Sequence, residues 1–254
     1  MPGSHTQQTR PPLAGLTMLL VEDSRFASDA IRLMCRALGL RMRRADSLSA
    51  AWRHLARSRP DVLLADLGLP DGSGLALLSR LRSHSPRPLA LLATSGDPEL
   101  RGAALEAGAD GFIEKPIPSL SGFEAALRKA LPPGTPWAEP PGDWPRLPTV
   151  LEQNGEAAPP PDSLAYFDDL RRARHGLAAI RAGLPAAGKV SAAPSEEMRA
   201  SYLARFVHGL ARGAADPALE QAAKALPSSP RRGAPELTQL FHLVEERLRD
   251  RPPI

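Results

Sequence analysis

The sequence predicts an α/β fold, a doubly wound five-stranded parallel sheet, followed by an all-α C-terminal segment. Three observations predict it. Between Leu16 and Leu131, short apolar runs alternate with stretches whose apolar residues recur at helical spacing. The apolar runs are unbroken rather than alternating, as in strands buried on both faces. Beyond a proline-rich interval the strands stop, and only helical stripes continue.

The elements follow in order. "LTMLLVED" (Leu16–Asp23) reads as a buried strand ending in acids. "SRFASDAIRLMCRALG" carries Phe26, Ala30, Leu33, Met34 and Leu38 at helical spacing, with Gly39 as a stop. Leu40–Asp46 is a less apolar strand, hence near an edge. Ser47 can cap a helix bearing Leu48, Ala51, Trp52 and Leu55. "DVLLADL" (Asp61–Leu67) is a strand, "GSGLALLSRLRSH" a helix, and Arg87–Ser95 a strand. "DPELRGAALEAG" is a helix with Asp97 as cap and Pro98 in the first turn. "DGFIEKPI" is the last strand, and Leu120–Leu131 the last helix of this half.

The rest of the chain divides by composition. Residues 1–15, "MPGSHTQQTRPPLAG", are expected to be a disordered arm without the pattern of a secretory signal. Residues 16–131 form the α/β domain, 132–161 a proline-rich linker containing Trp137 and Trp144, and 162–250 a helical region. That region shows a stripe of Leu164, Phe167, Leu170, Leu177 and Ile180. Another, capped by Ser195, comprises Met198, Tyr202, Phe206, Val207 and Leu210. A short helix after Asp216–Pro217 follows, then a last one with Leu237, Leu240, Phe241, Val244 and Leu248. Such stripes suit helices that bury a small core together. The net charge of +4 permits nucleic-acid contact without calling for it. The single cysteine, Cys35, reads as a small buried hydrophobe. No apolar run approaches the roughly 20 residues needed to span a bilayer, so a cytoplasmic, bacterial protein is expected.

In a parallel sheet of this kind, sites form at the carboxyl ends of the strands. Those ends carry Glu22, Asp23, Asp66, Thr94, Ser95 and Lys115. Converging carboxylates are tolerable around a hard divalent cation, and oxygen ligands suit Mg²⁺. A cation, an ammonium and a hydroxyl around one carboxylate are what phosphoryl transfer requires. The carboxylate itself can be the nucleophile.

The runs "LLVEDS", "VLLADLGLPDGSG", "LLATSGD" and "EAGADGFIEKPI" resemble, in that order, the receiver domain of two-component response regulators, a flavodoxin-like fold. The resemblance covers about Leu16 to Leu131. It implies that Asp66 is the phosphoryl acceptor and that Glu22, Asp23, Asp66 and the Gly68 carbonyl bind Mg²⁺. It implies that Thr94 and Lys115 contact the phosphoryl group, that Thr94 and Phe112 form the switch, and that the Lys115–Pro116 peptide is cis. The implied chemistry is self-catalysed phosphotransfer and dephosphorylation, not turnover of a separate substrate. The implied partner is a histidine kinase or phosphotransfer protein, in phosphorelay signal transduction.

Three departures stand out. Gly68 offers no side chain where a hydrophobic one is usual, Ser95 replaces a frequent alanine, and the segment after Thr94 is about one residue short. Gly68 and Gly96 lie two residues after Asp66 and Thr94, at positions whose side chains commonly flank the phosphoryl group. Glycine at both leaves the path of an attacking water open, and a short to intermediate phosphorylated lifetime is expected.

The helical region resembles no standard output domain. His208-Gly209-Leu210-Ala211-Arg212-Gly213 is a loose echo of a histidine phosphotransfer motif; an ordinary helix-surface histidine is the preferred reading, for His175 as well. Tyr202–Leu226 has the outline of a helix–turn–helix, but its second helix is not basic. The expected output is therefore protein–protein contact with a downstream partner, with DNA binding as the alternative.

Overall fold

The computed structural model describes residues 13–117, 119–135, 163–183, 195–227 and 233–249. Trp137, Trp144, most of the linker and residues 1–12 of the expected arm lie outside the described residues.

The N-terminal half contains strands β1 (Thr17–Val21), β2 (Arg41–Ala45), β3 (Val62–Asp66), β4 (Ala90–Ser95) and β5 (Gly111–Glu114). They form one parallel sheet in the order β2-β1-β3-β4-β5. β3 and β4 are buried throughout, which is why they read as unbroken apolar runs. β2 alternates exposed and half-buried residues, as an edge strand can. Helices α1 (Arg25–Leu38) and α5 (Leu120–Ala130) cover one face. Helices α2 (Leu48–Leu55), α3 (Gly74–Arg82) and α4 (Leu100–Glu106) cover the other.

Local chemistry sets the boundaries. Ser24 caps α1 by accepting from the Ala27 amide, and Gly39 ends it at φ 78°, a left-handed conformation that favours glycine. Ser47 caps α2, and both carboxylate oxygens of Asp71 accept from its first amides, Leu48 and Ser49. Two features differ from the sequence reading. α4 starts at Leu100, because Asp97 spends its carboxylate on the Glu99 amide within a preceding turn. Leu13, assigned to the arm, is fully buried and donates its amide to the Leu38 carbonyl, so order extends into residues 13–15.

A two-residue antiparallel ladder, Gly68–Leu69 with Gly72–Ser73, follows β3 and returns the chain tightly to α3. Gly74 is essential to that return, since a Cβ there would stand 2.1 Å from the Asp66 carbonyl oxygen. Gly74→Ala is therefore expected to cost about 1–3 kcal/mol, the usual penalty of overpacking. It should also displace Asp66, which chemical denaturation and chemical shifts at Asp66 would register.

Helices α6 (Ser163–Ala182), α7 (Glu196–Gly213), α8 (Pro217–Ala225) and α9 (Pro235–Arg249) make up the described C-terminal half. They bury a common core that includes Leu170, Leu177, Val207, Leu210, Leu219, Leu240 and Val244. Ser195 and Asp216 cap α7 and α8, and Arg247 of α9 pairs with Asp216 at 2.6 Å. Leu164 and Met198, the first members of their stripes, are exposed at the helix starts. Phe26 of α1 belongs to this helical core rather than to either core of the sheet. The two halves are thus packed together through it.

Candidate functional site

The sheet order reverses between β1 and β3, and the residues singled out above meet at that point. Glu22 and Asp23 follow β1, and Asp66 ends β3. Thr94 is Asp66's register partner on β4. Lys115 follows β5, held by its amide on the Ser95 carbonyl. One oxygen each from Glu22, Asp23 and Asp66 lies within 4.8 Å of the others. The apolar strands fix the backbone, so three acids are held in the interior although they repel one another.

Lys115 offsets part of that repulsion. Its ammonium lies 2.6 Å from Glu22 Oε2 and 3.0 Å from Asp66 Oδ2. Burial alone would lower its pKa, but the Asp66 and Glu22 carboxylates outweigh burial and hold it above the ordinary value. Glu22 also accepts from the Ser24 amide, and its pKa is pushed up to about 8 by burial, against the pull of Lys115. Asp23 is pushed up to about 6, again by burial first. Asp66 Oδ1 accepts from the Gly68 amide at 3.3 Å. The Lys115–Pro116 peptide is cis, as the sequence resemblance implied.

Among the described residues three buried side-chain oxygens have no hydrogen-bond partner: Glu22 Oε2, which lies against the Lys115 ammonium, and Asp23 Oδ1 and Thr94 Oγ1, of which Thr94 Oγ1 has no ion pair either. An unsatisfied buried polar atom costs about 1–3 kcal/mol. The last two face a chemistry that could satisfy them, a cation for Asp23 Oδ1 and an anionic oxygen for Thr94 Oγ1. Phe112 lies buried on β5 with the Arg101 guanidinium 4.9 Å from its ring centre.

Residues that the sequence reading did not connect with the site arrive from the helical half. Asp169 of α6, itself buried, accepts from the Ser24 hydroxyl at 2.9 Å and from the Phe26 and Arg25 amides. It thereby caps α1 from outside. Arg172 Nη2 lies 3.2 Å from Asp23 Oδ2, and Nη1 donates to the Asp23 carbonyl. The Tyr202 hydroxyl of α7 donates to the same Asp23 Oδ2. Arg212 donates to the Gly96 carbonyl at 2.9 Å. Arg205 Nε and His208 Nδ1 each lie 3.6 Å from where a Cβ would stand on Gly68 and Gly96 respectively. The space above the two glycines is thus occupied by side chains of α7, which corrects the expectation of an open path. His208 is not an ordinary surface histidine either, because its side chain is only 16% exposed and faces the other half; His175 is exposed.

Residues 18–127 match the family described as the response regulator receiver domain. The chain carries a receiver domain. The receiver match is echoed by curated relatives. Over 114 residues the chain is 34% identical to the KDP operon transcriptional regulatory protein KdpE of Escherichia coli, covering 45% of this chain and 50% of that protein. It is 38% identical over 103 residues to a probable transcriptional regulatory protein, TcrX, of Mycobacterium tuberculosis, covering 40% and 44%. The chain thus spans about half the length of the curated relatives it matches. Among solved structures, the receiver is similar to a putative response regulator from Chloroflexus aurantiacus (29% identity, TM-score 0.42, 45% of this chain and 97% of that one). Another is the receiver domain of a Pseudomonas aeruginosa sensor histidine kinase with a magnesium ion coordinated in its active-site cleft. It is 28% identical at a TM-score of 0.42, over 46% of this chain and 98% of that one. Among the described residues, no helix is long and apolar enough to cross a membrane.

Proposed function

We propose that this chain is a phosphorylatable response regulator of a phosphorelay, with Asp66 as the acceptor. One observation carries the reading: Asp66 lies 3.0 Å from the Lys115 ammonium and opposite its register partner Thr94, whose buried hydroxyl lacks a partner among the described residues. An Asp66 carboxylate oxygen attacks phosphorus, and the bond from phosphorus to a histidine nitrogen of the donor breaks with its electron pair leaving on that nitrogen. Lys115 takes up negative charge on the phosphoryl oxygens, and Thr94 Oγ1 donates to one of them. The donor is a histidine kinase or phosphotransfer protein. Hydrolysis later regenerates the carboxylate, so the chemistry is self-modification rather than turnover of a separate substrate.

The acid cluster fits a divalent cation, because Asp23 Oδ1 is buried, anionic and unpartnered. Asp23, Asp66 and the Gly68 carbonyl would hold Mg²⁺, with Glu22 behind them engaged by Lys115 and Ser24. The cation supplies neutralisation of phosphoryl charge.

The output proceeds by protein–protein contact through the helical half, whose α6 and α7 are already engaged with the receiver. DNA binding, the alternative, draws on the relatives' names as transcriptional regulators. Those matches cover under half of this chain, and the two charges of α8, Glu220 and Lys224, pair with each other. Labelling the full chain with acetyl phosphate and Mg²⁺ tests the acceptor. Label is expected on wild type and absent from Asp66→Asn; label that persists in Asp66→Asn refutes the assignment. Sequence-specific retardation of DNA fragments would replace the protein-contact output by the alternative.

A further inference from the structure

Position two beyond Asp66 and position two beyond Thr94 are both glycine, and α7 brings one polar side chain over each. Arg205 stands over Gly68 and His208 over Gly96. Both line the same cavity, of about 70 Å³, as Asp66 and Lys115. The chain thereby restores from a distant helix the flanking groups that the receiver half omits.

His208 is oriented within that cavity. Its Nε2 is 3.2 Å from Glu220 Oε1, and Lys224 is 2.8 Å from the same carboxylate oxygen. Lys224 first, and then the imidazole, hold Glu220 below the ordinary carboxylate range, so Glu220 is an acceptor only. Nε2 must therefore carry the proton, and Nδ1, on the Gly96 side, presents a lone pair. Burial holds the imidazole neutral against the opposing pull of Glu220, with Lys224 and Arg212 also favouring the neutral ring. A carboxylate that fixes the tautomer of a neutral imidazole is the arrangement of a general base.

We propose that His208 is the general base for hydrolysis of phosphorylated Asp66, so that the helical half is a built-in hydrolytic cap. The proposal rests on Asp66 being the acceptor. A water oxygen attacks phosphorus while its proton passes to His208 Nδ1. The bond between phosphorus and the Asp66 oxygen breaks, the carboxylate leaves with the electron pair, and inorganic phosphate is released. Glu220 stabilises the imidazolium, which returns its proton to solvent. Water rather than the imidazole is the nucleophile, because the described residues show no hydrogen bond between His208 and Asp66 and the cavity that both line, about 70 Å³, has room for a water, which needs about 10–15 Å³ of such space. Arg205, over Gly68, adds positive charge beside the leaving phosphoryl group.

The test uses the full chain, labelled with acetyl phosphate and Mg²⁺, freed of donor and followed as label is lost. His208→Ala and His208→Gln are expected to slow the loss about 100-fold, the lower end of what a positioned base contributes. Free imidazole added to His208→Ala should restore part of the rate, which a merely structural role of His208 would not allow. Label loss that is unchanged or faster in both variants overturns the proposal. So does slowing that imidazole leaves untouched. Alkali-stable label on His208 overturns it as well, making the histidine an acceptor instead of a base. Label that survives Asp66→Asn shows instead that the acceptor reading has failed, a result distinct from all of these.

Discussion

Replacing Lys115 by methionine is expected to destabilise the receiver by about 3–5 kcal/mol near pH 8, the cost of leaving buried charges without their partner. Lys115 is the ammonium that touches both Glu22 and Asp66, and each of those side chains is nearly excluded from water. The cost depends on pH in a definite direction. Burial raises Glu22 to about 8 and Asp23 to about 6. A carboxyl whose folded pKa is raised contributes its stability below the unfolded pKa, near 4, and loses it as pH rises through the folded value. At pH 5 Glu22 holds its proton and needs no ammonium, so the variant should lie closest to wild type there. The gap should widen as pH climbs toward 8, where Glu22 loses its proton. Millimolar Mg²⁺ should narrow it at pH 8 and do little at pH 5. Denaturant unfolding of the two proteins at pH 5 and pH 8 measures both effects. A difference that stays constant with pH would mean that Lys115 acts through its packing instead of its charge.

The contrast between these acids and the residues that meet them marks what a single sequence can reveal. Ser47 and Ser195 were legible as caps, and Asp216–Pro217 as a helix start, because a cap depends on amides two or three residues away. β2 was legible as an edge because its arginines cannot lie between two layers. The acids and Lys115 were legible because strands of a parallel sheet deliver their carboxyl ends to one side, whatever the rest of the chain does. The start of α4 was misplaced, since Asp97 can serve either a turn or a helix and only the geometry decides. Burial of Leu13 was missed because one leucine beside prolines gives no periodicity. Asp169, Arg172, Tyr202, Arg205 and His208 were not connected with the site for a deeper reason. Asp169 and Arg172 share a face of α6, and Tyr202 and Arg205 are likewise three apart on α7, so their spacing was available. What faces them is settled by docking of one half on the other, 145 and 149 residues away along the chain for Asp169 and Arg172, and no local pattern encodes that partner.

Phe26→Ala is expected to release the helical half from the receiver at a cost of about 3–5 kcal/mol, the usual loss for truncating a buried phenylalanine. Phe26 lies on the receiver's α1 but packs among α6 and α7 residues, with the Tyr166 ring centre 5.7 Å away. A Cβ on Gly213 would come within 2.7 Å of the Phe26 ring, so α7 crosses it at close range. The sheet's two cores do not include it, and the receiver itself should therefore keep its fold. Apart from the buried bond of Asp169 to the Phe26 amide, the polar contacts that remain, Asp169 on Ser24, Arg172 and Tyr202 on Asp23, and Arg212 on the Gly96 carbonyl, are half-buried or exposed on at least one side and cannot replace a buried ring. Their loss has a consequence at the site. With Arg172 gone from Asp23, a positive charge no longer competes with a divalent cation for that carboxylate. Mg²⁺ should bind Phe26→Ala about tenfold more tightly than wild type, about 1.4 kcal/mol, the size of the interaction with one guanidinium at this range when it is screened nearly as in water. Limited proteolysis should cut the variant between its halves while leaving a receiver-sized fragment intact, and titration with Mg²⁺ reads the affinity. Should Mg²⁺ affinity stay unchanged while the halves separate, Arg172 does not restrain cation binding. Should the halves stay joined, the polar contacts around Asp23 and Asp169 carry the docking without the ring.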